Sequence, residues 1–352
     1  MLLYLHIPFC DSKCFYCAFN SYTSLHSLQD EYMKALEIQL KYELSKQNKK
    51  IETIFIGGGT PSTIKPTYYQ KILEIIKPYK IDNCEITIEA NPNSAIKQWL
   101  EGIYNIGINR VSFGVQSFDD DKLSFLGRNH NHTQAAESIN NAYSIGFKDI
   151  NLDIIYDTSL DTKELLDIDL SIIKTLPINH ISAYSLTIEE GTKFFNKSNV
   201  KVENEDLANY LFNELNSLGF KQYEISNFSK DNTAKSKHNL GYWEYKEYLG
   251  IGSGAVGCVE NKRYYGIKDV IKYIQNPLKY DDIEVLTKDD IIIEKLLLGF
   301  RSEVGVSIDI LNDTQKEKLT DLVKLDKVEI KHNRVFSKDF MLADELALYL
   351  DI

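Results

Sequence analysis

His6-Ile7-Pro8-Phe9-Cys10-Asp11-Ser12-Lys13-Cys14-Phe15-Tyr16-Cys17 gathers three thiols within eight residues, directly after the short apolar run Leu2 to Ile7. Three cysteines can hold three corners of a 4Fe-4S cube and leave the fourth iron open to a ligand that is not protein. The competing reading is structural zinc, which closes four ligands drawn from two separated pairs. The other cysteines, Cys84 and Cys258, are isolated in sequence, and His6 lies within the strand pattern. A disulfide is disfavoured by the odd count of five cysteines and by the lack of any mark of secretion. The expected metal group is therefore the cluster, bound by Cys10, Cys14 and Cys17.

Outward from this loop, short apolar runs alternate with helical patterns, as βα units of a parallel sheet do. The expected strands are Leu2 to Ile7, Thr53 to Ile56, Glu85 to Glu89, Arg110 to Gly114, Asp149 to Asp153 and His180 to Ser185. Leu28, Tyr32, Leu36, Leu40 and Leu44 recur every four residues and make one apolar helix stripe. Six units predict an α/β fold of the open (β/α)6 partial TIM-barrel kind over residues 1–225. Its chemistry should lie just past the C-terminal end of each strand. Residues 226–286 read as an aromatic and glycine-rich connection. Over 287–352, a capping box at Thr287 and Asp290, then a hairpin over Val328 to Phe336 turning near His332 and Asn333, predict a small α+β, winged-helix-like module.

The chain of 352 residues can bury a large core, and its net charge of −11 argues against a broad nucleic-acid surface. No run reaches the roughly 18 apolar residues of a membrane span, and the opening stretch has no basic segment or small-residue cleavage site. A cytoplasmic protein with reduced thiols is expected. Peripheral membrane association and a homodimer are left open by the sequence.

Several constellations fall at the expected strand ends. Gly57-Gly58-Gly59-Thr60-Pro61-Ser62 lets backbone approach a ligand closely, although a tight turn capped by Thr60 is an alternative. It lacks the Gly-Lys-Ser/Thr of a P-loop. Glu89, Gln116, Arg128 and Asp153 follow at or beyond successive strands. A carboxylate can bind an ammonium, an arginine a carboxylate, and Asp or Gln a ribose hydroxyl. Gly252, Gly254 and Gly257 have G-x-G-x-x-G spacing, but the strand and acid of a dinucleotide site are missing; a flexible loop over the barrel mouth is expected. His238 opens His-Asn-Leu-Gly-Tyr-Trp243. It could be an axial haem ligand beside an aromatic wall, or a core histidine bonded to its surroundings.

The C-x3-C-x2-C spacing is the radical S-adenosylmethionine signature, and the chain resembles the HemW haem chaperone family. The likeness runs through Tyr4-Leu-His-Ile-Pro-Phe-Cys10, Gly57-Gly-Gly-Thr-Pro61, Ile88-Glu-Ala-Asn-Pro92, Ser112-Phe-Gly-Val-Gln-Ser-Phe118, Asn151-Leu-Asp-Ile-Ile-Tyr156 and His238 to Trp243. The resemblance implies a cluster on Cys10, Cys14 and Cys17, with S-adenosylmethionine held by Tyr4, Tyr16, Gly58, Gly59, Thr60, Glu89, Gln116, Arg128 and Asp153. It implies haem as cargo, contacted by His238, and acceptor haemoproteins as partners. The related oxygen-independent coproporphyrinogen III dehydrogenase (oxidase) extends the motif to C-x3-C-x2-C-x-C, whereas Cys17 here is followed by Ala18 and Phe19, and nine residues precede Cys10. Both features favour the chaperone over that enzyme. Asp157-Thr-Ser-Leu160 departs from the Gly-Leu-Pro turn usual in the family.

Overall fold

Alternation within the first strand sets the architecture of the computed structural model, which describes residues 1–351. In β1 (Leu2–Ile7), Leu3, Leu5 and Ile7 join the main core, while Tyr4 and His6 face the opposite side. Parallel partners need crossovers. Accordingly α1 (Gln29–Ser45) leads to β2 (Ile51–Gly58), α2 (Pro66–Ile76) to β3 (Lys80–Ala90), and α3 (Lys97–Asn105) to β4 (Arg110–Gln116). Two helices, α4 (Asp120–Leu126) and α5 (His132–Ile145), precede β5 (Asp149–Tyr156), and α6 (Lys163–Ile173) precedes β6 (His180–Ser185). All six expected strands are present and pair in parallel in sequence order. The helix stripe is present too: Tyr32, Leu36, Leu40 and Leu44 are fully buried, each worth about 2 kcal/mol of apolar burial.

The stretch after residue 225 differs from the irregular connection expected. After α7 (Glu205–Ser217), β7 (Lys221–Gln222) and β8 (Asn227–Ser229) add antiparallel beyond β6. Helix α8 (Lys237–Trp243) follows, and β9 (Tyr248–Ile251) returns parallel to β1 on its other side. Then β10 (Val256–Val259), β11 (Lys262–Gly266) and, after α9 (Val270–Gln275), β12 (Tyr280–Val285) extend the sheet antiparallel. The result is a 12-stranded open sheet in the order β12-β11-β10-β9-β1-β2-β3-β4-β5-β6-β8-β7. These added strands are short, and β9, β10 and β11 contain glycine, so they carry little period-two signal. The glycine stretch expected as a flexible loop is the pinned β9–β10 turn. Gly252 N–H donates to Gln39 Oε1 (2.9 Å) and Ser253 N–H to the Tyr32 hydroxyl (3.0 Å).

The C-terminal elements run helix, helix, hairpin and helix. Helix α10 (Lys288–Phe300) starts with the Thr287/Asp290 capping box. Then come β13 (Val306–Ser307), α11 (Asp313–Lys324), β14 (Val328–Lys331), β15 (Arg334–Ser337) and α12 (Ala343–Asp351). His332 and Asn333 both have positive φ (48° and 60°), as a two-residue hairpin turn requires. Leu296, Phe300, Leu319, Val335 and Leu346 form a core of their own.

One buried ion pair anchors the helix that delivers Arg128. Lys122 on α4 lies 2.5 Å from Asp161, with side-chain exposures of 0% and 4%. Nearby Asp169 accepts from Ser117 Oγ (2.9 Å) and Phe118 N–H (2.5 Å), and burial pushes its carboxyl up to about 6. Lys122→Met removes the cation and leaves two carboxyls in apolar surroundings. It should lower stability by about 3–5 kcal/mol, read as a lower urea midpoint with an unchanged m value. A midpoint equal to the parent's would refute this account.

Candidate functional site

The cysteine loop is closed by its own backbone before any ligand is considered. Cys10 N–H donates to Tyr22 O (3.1 Å) and Tyr22 N–H to Pro8 O (2.8 Å). Lys13 Nζ donates to Phe19 O (2.8 Å) and Ser21 Oγ (2.9 Å). The turn after β2 docks onto it, with Gly59 N–H donating to Ile7 O and Thr60 N–H to Phe9 O, both at 2.7 Å. Thr60 Oγ1 donates to Cys10 Sγ (3.3 Å) and Arg128 Nη1 to Cys14 Sγ (3.2 Å). Burial pushes the thiols of Cys10 and Cys17 up, and the neighbouring thiols add to the rise.

Three grouped thiols with donors aimed at two of them fit a group that takes up thiolates. Among the described residues, no three His, Cys, Asp or Glu side chains converge on one ion-sized point.

Glycines bring the second turn against this loop. Gly58 has φ +114°, and a Cβ there would lie 2.5 Å from the His6 ring; at Gly59 it would lie 2.7 Å from Phe9 O. The Gly58 N–H donates to Glu89 Oε2 (3.0 Å). Burial, reinforced by the charge of Asp153, pushes the Glu89 carboxyl up to about 8, against the pull of that N–H. Asp153, also raised by burial, accepts from Asn151 Nδ2 (2.7 Å). Arg128 follows the left-handed Gly127 cap of α4. Its Nη2 donates to Gly114 O and Asn91 Oδ1, both at 2.6 Å, while its buried Nε has no partner. That free donor points to a partner from outside the protein. Gln116 sits at a register shift between β4 and β5 with φ +72°, a strained conformation for a residue with a Cβ. Tyr16 places its hydroxyl 3.4 Å from Arg128 Nη1.

Tyr4 connects this mouth to residues that sequence reasoning missed. Its hydroxyl lies 3.0 Å from His6 Nδ1, and His6 Nε2 lies 2.8 Å from Asn20 O. Burial lowers the His6 imidazole to about 4, so the ring is neutral. Nε2 then donates to Asn20 O, and Nδ1 accepts from Tyr4. Asn91, which fixes Arg128 and lies 3.4 Å from Thr60 Oγ1, was equally missed. Both residues lie inside the quoted runs Tyr4 to Cys10 and Ile88 to Pro92, which was the available signal.

His238 stands apart, at the other end of the strands. Helix α8 plugs that end: Glu85 accepts from the N–H groups of Lys237 (3.1 Å) and His238 (3.0 Å), and a Cβ on Gly241 would lie 2.6 Å from Leu2. The His238 ring is buried, with Nδ1 2.7 Å from Thr53 Oγ1 and Nε2 3.1 Å from the Tyr242 hydroxyl. Burial and then Arg110 lower it to about 3. The structure does not present His238 as an open iron ligand, because both ring nitrogens are engaged. Tyr242 and Tyr248 do reach an open cleft of about 690 Å3, where they meet Tyr4, His6 and Phe19.

The unusual turn after β5 is also accounted for. Asp157 has φ +64°, the conformation glycine adopts most easily, and its carboxylate accepts from Ser185 Oγ (2.7 Å) and Asn204 N–H (3.3 Å). Those bonds hold the turn, and Asp153 keeps its place.

Comparison with known proteins adds four findings. A family model described as the radical SAM superfamily matches residues 4–167. The heme chaperone HemW of Bacillus subtilis is 35% identical over 320 residues, covering 86% of this chain and 84% of the relative. That of Haemophilus influenzae is 35% identical over 353 residues, covering 95% and 89%. Coproporphyrinogen III oxidase (HemN) from Escherichia coli, a radical SAM enzyme, shares the fold with a TM-score of 0.84 at 20% identity, covering 99% of this chain and 89% of that one.

The raised Glu89 carboxyl makes stability depend on pH. Its folded value of about 8 exceeds the 4.5 of an ordinary glutamate carboxyl. The contribution is therefore complete below 4.5 and lost as pH rises through 8. Melting temperatures of the cofactor-free protein should fall across that window, and Glu89→Gln should flatten the fall. An identical slope in the variant would count against the buried acid.

Proposed function

The chain belongs to the HemW family, and on that premise we propose that it binds haem as cargo and transfers it to acceptor haemoproteins, carrying a 4Fe-4S cluster and S-adenosylmethionine. The observation that supports this most is the joint placement of Glu89, Arg128 and the three thiols at one mouth, in a chain so similar to haem chaperones along most of its length.

Cys10, Cys14 and Cys17 would hold the cluster, which when bound supplies an electron donor and an open iron. Each protein group then has a task its surroundings suit. Glu89, steadied by Gly58, receives an ammonium; the cost of ionising it when buried is recovered only when a cation arrives. Arg128, with its unpartnered Nε, receives a carboxylate. Gln116 and Asp153 would hydrogen-bond the ribose hydroxyls. The backbone at Gly58, Gly59 and Thr60, with Tyr4 and Tyr16, would complete the cofactor site. His238 enters the haem role through the Tyr242 hydroxyl that it holds.

No helix among the described residues is long and apolar enough to cross a membrane. Cluster assembly needs reduced thiols, and the reducing cytoplasm is the compartment that fits.

Anaerobic reconstitution followed by haem titration and product analysis separates chaperone from enzyme. We expect one haem-dependent Soret band and no protoporphyrinogen from coproporphyrinogen. His238→Ala should weaken haem binding roughly tenfold, since it leaves Thr53 and Tyr242 without their shared partner. Appreciable turnover of coproporphyrinogen would overturn the chaperone reading.

A further inference from the structure

Tyr242 and Tyr248, which border the cleft under the cysteine loop, also line a second cavity of about 500 Å3 between β9 to β11 and α10. None of the cofactor-site residues contributes to it. Strand register builds its floor: Tyr248 on β9 pairs with Cys258 on β10, and Cys258 pairs with Arg263 on β11. Cross-strand partners share a face, so a phenol, a thiol and a guanidinium form one row. Across the gap, α10 supplies Leu298 and Glu294, and Arg263 reaches Glu294 at 2.7 Å.

Tyr245 completes the enclosure at some conformational expense. It occupies the turn after α8 with φ +60°, a position where helices commonly place glycine. Its hydroxyl donates to Glu294 (2.7 Å), and Lys295 Nζ lies 5.1 Å from its ring centroid. Among the described residues, Lys295 belongs to no ion pair, whereas Arg263 is bound to Glu284 and Glu294.

We infer that this cavity is the haem seat, with Cys258 Sγ bound to the iron and Lys295 paired with a propionate. The inference rests on the chaperone reading and adds to it a place and a ligand. The volume lies within the roughly 300–1,000 Å3 typical of small-molecule sites. Tyrosine rings and leucine side chains suit the face and edge of an apolar macrocycle. A cysteine sulfur is one of the recurrent axial ligands of haem iron. As the S–Fe bond forms, the thiol proton leaves to solvent; burial, and Glu294 against the already paired Arg263, push the Cys258 thiol up, so the positive charge the thiolate needs is that of the ferric iron itself. His238 is then a positioning residue: through Tyr242 it fixes the wall between haem and the cofactor cleft.

The test is a ferric haem titration of the full chain, comparing the parent with Cys258→Ser and Leu298→Trp, each checked for an unchanged melting temperature. Cys258→Ser is nearly isosteric, so it keeps the test meaningful even if the larger tryptophan perturbs folding. We expect Cys258→Ser to shift the ferric Soret band and weaken binding about tenfold, and Leu298→Trp to weaken it more. If the parent binds haem and both variants match it in band position and affinity, the seat is elsewhere while the chaperone reading stands. If the parent binds no haem, the chaperone reading fails and takes the inference with it.

Discussion

The central position of β1 governs how this molecule is built. It pairs in parallel with β2 on one side and β9 on the other, and its last residues lead straight into the cysteine loop. The turn after β2 is bonded to that loop through Ile7 O and Phe9 O. Strand pairing therefore sets the distance between the thiols and the glycine backbone opposite them. A small shift of register would move Gly58 off His6 and replace a contact that only glycine permits.

The mouth is electrostatically unsatisfied in the state described. Glu89 and Asp153 are both raised by burial, while Arg128 keeps a buried donor without a partner. Such groups weaken a fold unless a ligand completes them, and sites of binding commonly store cost in this way. Gln116 and Asp157, both with positive φ, put backbone strain beside the same strand ends. Elsewhere the chain compensates: the Lys122–Asp161 pair and the large apolar core behind the sheet hold the helices that carry these residues.

Two ends of one sheet are connected through aromatic and imidazole groups. At the mouth, His6 joins Tyr4 to the end of the cysteine loop. At the far end, His238 joins Thr53 to Tyr242. Both imidazoles are held neutral by burial, so each has one donor and one acceptor and fixes a direction. Tyr242 and Tyr248 pack edge to face with centroids 4.8 Å apart, a wall with a cavity on each side. Occupancy on one side can reach the other only by moving that wall.

Local patterns were legible in the amino-acid sequence because they depend on residues a few positions apart. The thiol spacing, the apolar runs of β1 and β6, the stripe on α1, the Thr287/Asp290 box and the turn at His332 and Asn333 are all of this kind. The strand-end rule also brought Glu89, Gln116, Arg128 and Asp153 to one mouth without coordinates. The tertiary structure alone decided that β9 to β12 join the main sheet, since strands of four to six residues acquire identity only from a partner. It alone placed His238 in the core, because the hydrogen bond to Thr53 spans 185 positions. His6 and Asn91 were hidden for the same reason: their bonds to Asn20, Thr60 and Arg128 follow from folding, and no period in the chain announces them.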